Sequence, residues 1–169
     1  IGDHAANIAY MSNEMQENRM SFSEEALDEL NVVMQAVREI MNITARAFTE
    51  ADQKEADKVA PLGVVITHLC DELKHNHVIR MGSGDCGLEQ GTIFNDIPNS
   101  FSRIAAHCAS IMSAMQKADE DSEDIHIHNS TVDAGEGMVY YSYFTMYTQK
   151  YELGNPGNHV KSMEAENEI

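Results

Sequence analysis

The sequence is poor in positive charge. Its 169 residues include 11 Lys and Arg but 28 Asp and Glu, which gives a formal net charge of -17 at pH 7. Such a balance opposes binding to phosphate backbones and to anionic lipid headgroups, so we expect no nucleic-acid partner. No apolar run reaches the length that a bilayer requires, and no signal peptide begins at Ile1. We therefore expect no direct membrane insertion by this segment.

Cysteine is also scarce, and its spacing gives no disulfide framework. Cys70, Cys86 and Cys108 form no closely spaced pair, and their odd number leaves one thiol over. The simplest explanation is a reducing compartment, because disulfides persist mainly in oxidising ones. This pattern predicts a cytosolic environment.

Apolar residues recur at the alternating three- and four-residue spacing of amphipathic helices. Ser23, followed by Glu24 and Glu25, has the pattern of a helix N-terminus, because a serine side chain caps free amides and acids favour the positive dipole end. Four segments joined by short turns predict an all-α antiparallel bundle. Their stripes are Ile1, His4, Ile8, Met11 and Met15; Leu27, Leu30, Met34, Val37, Met41, Thr44, Phe48 and Ala51; Val59, Leu62, Ile66, Leu69 and Leu73; and Phe94, Ile97, Phe101, Ile104, Cys108, Ile111 and Met115.

Proline and glycine indicate where the predicted helices start, kink or end. Pro61 starts or kinks the third of them, and Pro98 is expected to kink the fourth without breaking it. The glycine-rich run 82–87 follows a helix rather than a strand and has no phosphate-binding Lys, so we interpret it as a turn between helices.

The C-terminal part has a different character. Residues 138–151 contain five of the six Tyr and favour a β-strand by local propensity. A lone strand would have no sheet to join, and four of the aromatic residues share one helical face, so we predict a helix. The resulting organisation is a helical bundle over 1–118, an acidic connector over 119–131, an aromatic C-terminal helix over 132–152 and a frayed tail over 153–169.

An internal repeat gives the best indication of function. The segment Ile1-Gly2-Asp3-His4-Ala5-Ala6-Asn7-Ile8 returns 103 residues later as Ile104-Ala105-Ala106-His107-Cys108-Ala109-Ser110-Ile111, with four of eight positions identical. We interpret the two segments as equivalent helices of tandem repeats, the first of them largely missing, and expect the chain to be part of a longer polypeptide.

The residues also carry a resemblance to a known family. The opening Ile1-Gly2-Asp3-His4 resembles the repeat helix of PhoU-like domains, as does the ordered series His77-Val78-Ile79-Arg80-Met81, Gly84-Asp85-Cys86, Glu89-Gln90-Gly91, Ile93-Phe94-Asn95-Asp96, Arg103-Ile104, His107-Cys108 and Ile111. Their order and spacing are similar to the PhoU-like region at the C-terminal cytoplasmic end of bacterial sodium-dependent phosphate cotransporters. The resemblance covers residues 1–118, and Tyr140–Tyr151 loosely resembles that subfamily's closing aromatic helix.

The resemblance implies a fold of two three-helix repeats, of which this chain holds the last helix of the first and all of the second. It further implies multinuclear metal sites built from two acids four residues apart. The chain departs from that pattern, because the aligned positions are Gly63 with Thr67 and Ser102 with Ala106. Neither pair can ligate a metal. Asp3, His4 and His107 remain as residual candidates for a divalent or iron-type metal, and we favour a structural role for the two histidines.

An enzyme is the other class of function that the sequence raises. Glu72 with His75, and Glu123 with His126, have the spacing of di-iron bundles, but the other helices offer no matching carboxylates. The denser group of His68, Asp71, Glu72, His75 and His77 has one-turn spacings that suit zinc or nickel, and we favour a solvated helix face instead.

Together these patterns predict a non-enzymatic regulatory domain of a sodium/phosphate cotransporter at the cytoplasmic face of the bacterial inner membrane. Its expected partner is the transmembrane transporter part of the same polypeptide, and it needs no cofactor. A free-standing PhoU-like phosphate-signalling regulator and a metal-dependent bundle enzyme are the alternatives. An incomplete first repeat would leave apolar surface uncovered, so we also expect a homo-oligomer.

Overall fold

The chain folds into long helices, as the spacing of its apolar residues predicts. The fold is seen in a computed structural model, which describes residues 1–83, 88–122 and 134–154. The helices are α1 (Gly2–Glu17), α2 (Glu24–Glu50), the single turn α3 (Gln53–Ala56), α4 (Val59–Ser83), α5 (Leu88–Ser122) and α6 (Ala134–Lys150). No strand occurs among the described residues, so the all-α bundle is confirmed, including a helix where Tyr-rich propensity alone allowed a strand.

Three antiparallel helices, α2, α4 and α5, form the core. The beginning of α2 meets the end of α4 through Glu29 and Arg80. The beginning of α5 meets that same end of α4, where the rings of His77 and Phe94 stack. Short connections between consecutive helices give this alternation of direction. The two outer helices pack on one side each, α1 on α5 and α6 on α4.

Local signals place several helix ends. The Ser23 hydroxyl accepts a hydrogen bond from the Ala26 amide at 3.3 Å, so the predicted N-cap of α2 is confirmed. Pro61 lies in the first turn of α4, where a missing N–H costs nothing, and α5 continues through Pro98 without a break. None of the described helices is long and apolar enough to cross a membrane.

The buried stripes of α4 and α6 agree with the predicted ones. All five residues of the α4 stripe, Val59, Leu62, Ile66, Leu69 and Leu73, are buried. On α6, Tyr147 and Tyr151 are buried and Tyr140 and Phe144 are partly buried, as their shared helical face indicates. On both helices the buried face is thus the one that the residue spacing predicts.

The predicted core stripe of α2 is correct only in part, although Leu30 and Met34 of that stripe do pack against the core. Leu27 is 50% exposed, Met41 38% and Phe48 63%, whereas Val37 and Thr44 from the same stripe are buried. The structure turns the helix so that a neighbouring stripe faces α4 and α5; it consists of Ala26, Glu29, Val33, Ala36, Ile40, Ile43 and Ala47, together with Val37 and Thr44.

Small side chains are frequent on the buried face of α2. Ala36 and Ala47 are fully buried, and a methyl group added to Gly63 of α4 would lie 3.6 Å from Ile40 Cδ1. Alanine and glycine let two helix backbones approach closely, and the packing density of the core then rewards small residues over large ones. A ranking by hydrophobicity alone favours Leu, Met and Phe and so selects the outer stripe.

Two predicted boundaries also differ from the observed ones. Helix α5 extends to Ser122, into the connector predicted from residue 119, and Leu153 of the predicted tail is buried. The rest of the predicted connector up to residue 131, including Glu123 and His126, lies outside the described residues, as does the tail from residue 155.

A pair of alanine substitutions on α2 tests which stripe forms the core. Ile40→Ala is expected to lower the free energy of unfolding by about 2–5 kcal/mol, because it leaves a cavity at a fully buried site. Phe48→Ala is expected to cost less than about 1 kcal/mol, because that ring is largely in solvent. Urea unfolding followed by circular dichroism measures both, and equal losses would contradict the observed face.

Candidate functional site

The first candidate site is a polar groove where α1 crosses α5 beside α4. Its volume is about 880 Å³. Uncharged polar side chains line much of it, and four charged side chains join them, two acidic and two basic. The lining residues are His4, Asn7, Thr67, Asp71, Lys74, Asp96, Asn99, Ser100, Ser102, Arg103 and Ala106.

The two copies of the sequence repeat meet at this groove. His4 of α1 and His107 of α5, which occupy the same position in the repeat, stack with ring centroids 5.4 Å apart. Nearby, Asn7 Nδ2 donates a hydrogen bond to Ser100 Oγ at 3.4 Å. The two helices are antiparallel here, because His4 contacts His107 whereas Asn7, which comes later in α1, contacts Ser100, which comes earlier in α5. Contact between equivalent residues of antiparallel helices is the arrangement that a local two-fold relation produces.

The residual metal candidates do not form a ligand set in the described structure. Asp3 is exposed on α1, and the stacked rings of His4 and His107 lie with 26° between their planes. Among the side chains that the structure describes, no group of three or more His, Cys, Asp and Glu residues is placed to hold a metal ion. The two histidines therefore contact each other instead of converging with a third ligand.

Three of the four positions that align with the acids of PhoU-like metal sites line this groove, and the fourth does not. Thr67, Ser102 and Ala106 line the groove, whereas Gly63 faces Ile40 in the core. The Thr67 hydroxyl donates to the Gly63 carbonyl at 3.0 Å within α4 itself. The groove's carboxylates are instead Asp71 and Asp96, and Lys74 Nζ lies 3.8 Å from Asp71 Oδ1. This chemistry suits hydrogen bonding to a polar surface.

The denser group of acids and histidines on α4 is split by the helix. His68, Asp71, Glu72 and His75 are exposed, and His77 is buried on another face. The ring of His68 packs edge-on against Phe144 of α6 with 6.1 Å between centroids. The exposed members therefore form a solvated face, in line with the interpretation that we favoured.

The second candidate site is a buried charged cluster that joins α2, α4 and α5. Arg80 Nη2 lies 2.8 Å from Glu29 Oε2, and both side chains are 6% exposed. Asn76 Nδ2 donates to the other oxygen of Glu29 at 2.8 Å. The Arg80 guanidinium lies over the Phe94 ring, 5.6 Å from its centroid. Buried carboxylates and guanidinium groups need such partners because desolvation of a charge costs several kcal/mol.

This cluster retains unused hydrogen-bonding capacity. Arg80 Nη2 and Glu29 Oε2 are close but do not meet hydrogen-bond geometry, and Arg80 Nη1 and His77 Nε2 have no hydrogen-bond partner among the described residues. The His77 ring stacks on Phe94 with 4.3 Å between centroids. A methyl group added to Gly91 of α5 would lie 3.2 Å from His77 Nε2, so glycine gives the imidazole its space.

The pKa of His77 is lowered by this environment. Burial is the main cause, because it penalises the imidazolium, and the charge of Arg80 adds to it. Among the described charged groups, Glu29 of α2 and Arg80 of α4 face this cluster, and one carboxylate cannot balance two cations. The neutral form of His77 is thus the one that fits the fold.

The thiols of the core carry no sign of reactivity. Cys70 and Cys108 are both buried and free, and Cys86 lies outside the described residues. Burial raises the pKa of the Cys70 thiol to about 11 and also raises that of Cys108. Reactive cysteines are partly exposed and have a lowered pKa, so these two are structural.

Sequence patterns indicated part of this geometry. The repeat drew attention to His4 and His107, and the resemblance contained His77 and Arg80 without a role for either. Glu29 was missed because it lies on the α2 stripe that hydrophobicity did not select. An acid four positions before Val33, on a face otherwise made of Ala, Val and Ile, is the signal that could have identified it.

Comparison of the chain with protein-family models, with curated proteins and with solved structures gave no match.

Replacement of His77 tests the cost of placing a proton in the cluster. A histidine whose pKa is lowered by folding binds its proton more readily when unfolded, so stability falls as the pH drops below 6.5. One such proton contributes at most about 1.4 kcal/mol for each pH unit. His77→Phe keeps the stacking on Phe94 and removes the proton site, so its free energy of unfolding is expected to fall less than the wild type's between about pH 7.5 and 5.5.

The control for this experiment is His75→Gln, which changes an exposed histidine of the same helix. That variant keeps His77, so its stability should still fall more than that of His77→Phe between about pH 7.5 and 5.5. Identical pH dependence in His77→Phe and the wild type, measured by urea unfolding at each pH, would contradict a neutral buried imidazole.

Proposed function

We propose that this chain is a non-catalytic, PhoU-like regulatory domain of a bacterial sodium/phosphate cotransporter. In this role it acts through protein contacts in phosphate uptake or homeostasis. The transmembrane transporter part of the same polypeptide is its partner, and its location is the cytoplasmic face of the inner membrane. The resemblance described from the sequence, extending over residues 1–118, is the starting point of the proposal.

One structural observation supports the proposal most strongly. Positions aligned with family acids on two different helices, Thr67 on α4 and Ser102 with Ala106 on α5, line a single groove together with His4 of the other repeat. Ser102 and Ala106 lie one turn apart on α5, so the contribution of the fold is that Thr67 of α4 faces the same groove as they do. The contact between His4 and His107 supports equivalence of the two helices in the same way.

A role through contacts, without catalysis, fits the chemistry of the groove. At the aligned positions, Thr67 and Ser102 carry hydroxyl groups and Ala106 carries a methyl group, whereas a metal site would carry carboxylates. The remaining amides, hydroxyls and paired charges can bind a polar protein surface, and a partner that prefers one packing of the helices would shift the population toward it.

Phosphate uptake by bacterial cells tests the proposal. Cells whose transporter lacks this domain are expected to change their rate of sodium-dependent radiolabelled phosphate uptake by about fivefold or more, because regulation by a ligand or contact typically has a coupling of 1–3 kcal/mol. Sodium-dependent uptake of an amino acid serves as the control and should not change. Unaltered phosphate uptake, with the truncated transporter present at normal levels, would reject the regulatory role.

The two alternatives are separated by simpler measurements. A free-standing PhoU-like regulator would be encoded without apolar membrane spans in the same polypeptide, whereas the proposal requires such spans. A metal-dependent enzyme requires about one or more iron or manganese ions for each chain, which elemental analysis of protein purified without an affinity tag would detect. The proposal needs no cofactor.

A further inference from the structure

A further pocket lies where α2 meets α3 and α6, and we call it the α2–α6 pocket. Its volume is about 750 Å³, which falls within the range typical of small-molecule sites. None of the residues that line it also lines the groove between α1, α4 and α5. Three of its lining residues are basic, although the whole chain has only 11 Lys and Arg. Basic side chains are therefore concentrated here in an otherwise acidic protein.

Both carboxylates of the α2–α6 pocket already have cationic partners. Lys150 Nζ donates to Glu39 at 2.7 Å. Arg46 Nη2 donates to Glu55 Oε2 at 2.6 Å, and Lys58 pairs with the other oxygen of the same carboxylate. The two acids are thus neutralised within the fold and do not make the pocket a site for a cation.

The remaining cation of the pocket is Arg38, which is exposed on α2. Its guanidinium group has no partner among the residues that the structure describes. The lining residues, taken with Lys150, therefore carry two more cations than carboxylates. At physiological salt, charges more than about 8 Å apart are largely screened, so a small anion in the pocket responds mainly to these nearby cations.

Tyr147 adds a neutral donor to the pocket. Its side chain is only 1% exposed and lines the pocket, and its hydroxyl has no hydrogen-bond partner in the described part of the chain. Burial and the charges of Glu39 and Glu55 raise the pKa of this hydroxyl to about 12. The group therefore keeps its proton and can donate it to a ligand oxygen.

The cations form two separate poles. Arg38 and Arg46 are eight residues apart on α2, which is about 12 Å along the helix axis. Lys58 joins Arg46 at the second pole, because both contact Glu55. Tyr147 lies between the poles, since the charges of Glu39 and Glu55 both act on it. Such an arrangement suits an elongated ligand with one anionic group at each end better than a compact ion.

We propose that the α2–α6 pocket binds a small dicarboxylic acid, with one carboxylate at Arg38 and the other at Arg46 and Lys58. Guanidinium groups bind carboxylates through two parallel, charge-assisted hydrogen bonds, which are stronger than neutral ones. The Tyr147 hydroxyl donates to the ligand between the two poles. This inference does not depend on a role in phosphate transport.

Isothermal titration calorimetry of the full chain at 150 mM NaCl and pH 7.5 tests the proposal with three probes. Adipate has a carboxylate at both ends and is expected to bind once per chain, with a dissociation constant below about 1 mM. Hexanoate has the same chain length but only one carboxylate, so it should bind at least about tenfold more weakly. Inorganic phosphate is the compact anion and should also bind at least about tenfold more weakly than adipate.

Two arginine variants locate the site. Arg38→Gln removes one pole and is expected to raise the dissociation constant of adipate at least about tenfold. Arg19→Gln removes an equally charged, exposed arginine between α1 and α2 and should leave the constant within about twofold. Circular dichroism should show that both variants remain folded, because both side chains are exposed.

Tyr147→Phe separates a ligand contact from a structural one. The change keeps the buried ring and removes a hydroxyl that bonds to no described residue, so the Tm of the free protein should stay the same. Adipate affinity is expected to fall about threefold or more.

Several outcomes would overturn the proposal. Absence of saturable adipate binding up to about 20 mM would remove it. Equal affinity for adipate and hexanoate would contradict two poles, and tighter binding of phosphate would assign the pocket to a compact ion. Equal weakening by Arg38→Gln and Arg19→Gln would indicate an effect of net charge, and unchanged affinity in Tyr147→Phe would contradict its role as a donor to the ligand.

Discussion

The buried ion pair between Glu29 and Arg80 is the constraint on which the helix register depends. It joins the first part of α2 to the last part of α4, and Asn76 and Phe94 complete its surroundings. A shift of α2 by one turn would move Glu29 about 5.4 Å away and leave two buried charges unpaired, at a cost of several kcal/mol. Apolar contacts such as Ile40 against Gly63 tolerate small shifts, so the charges select one alignment among several with similar burial.

The outer helices are held by different forces from the core. Helix α1 buries only Met11 fully and touches α5 through a histidine stack and a long hydrogen bond. Helix α6 instead buries Tyr147 and joins α2 through Glu39. Few buried apolar groups make a segment the first to open, so α1 is the less stable attachment. The groove beside it can then change shape while the three-helix core persists.

Sequence patterns predicted the buried faces of α4 and α6. Both faces follow from apolar residues at helical spacing, from Val59 to Leu73 on α4 and from Tyr140 to Tyr151 on α6. Helix α2 carries two neighbouring stripes, and the choice between them depends on which one packs against α4 and α5, which the pattern of a single helix does not reveal. The residues of the candidate sites differ in the same way, between those that a sequence pattern indicates and those that only packing brings together. The repeat identified His4 and His107, but Glu29 and the groove residues Asp96 and Arg103 come together only through packing between distant segments.

The composition of the groove limits how the proposed regulation could work. The Thr67 hydroxyl donates to the Gly63 carbonyl and keeps its lone pairs as acceptors, whereas Ala106 offers no donor or acceptor in its side chain. In the proposed role, coupling between this groove and a partner passes through the relative positions of α1, α4 and α5. Coupling of that type needs two discrete packings with different affinity for the partner. The weakly attached α1 is the element that can supply the second packing, because its movement leaves the charged cluster of Glu29 and Arg80 intact.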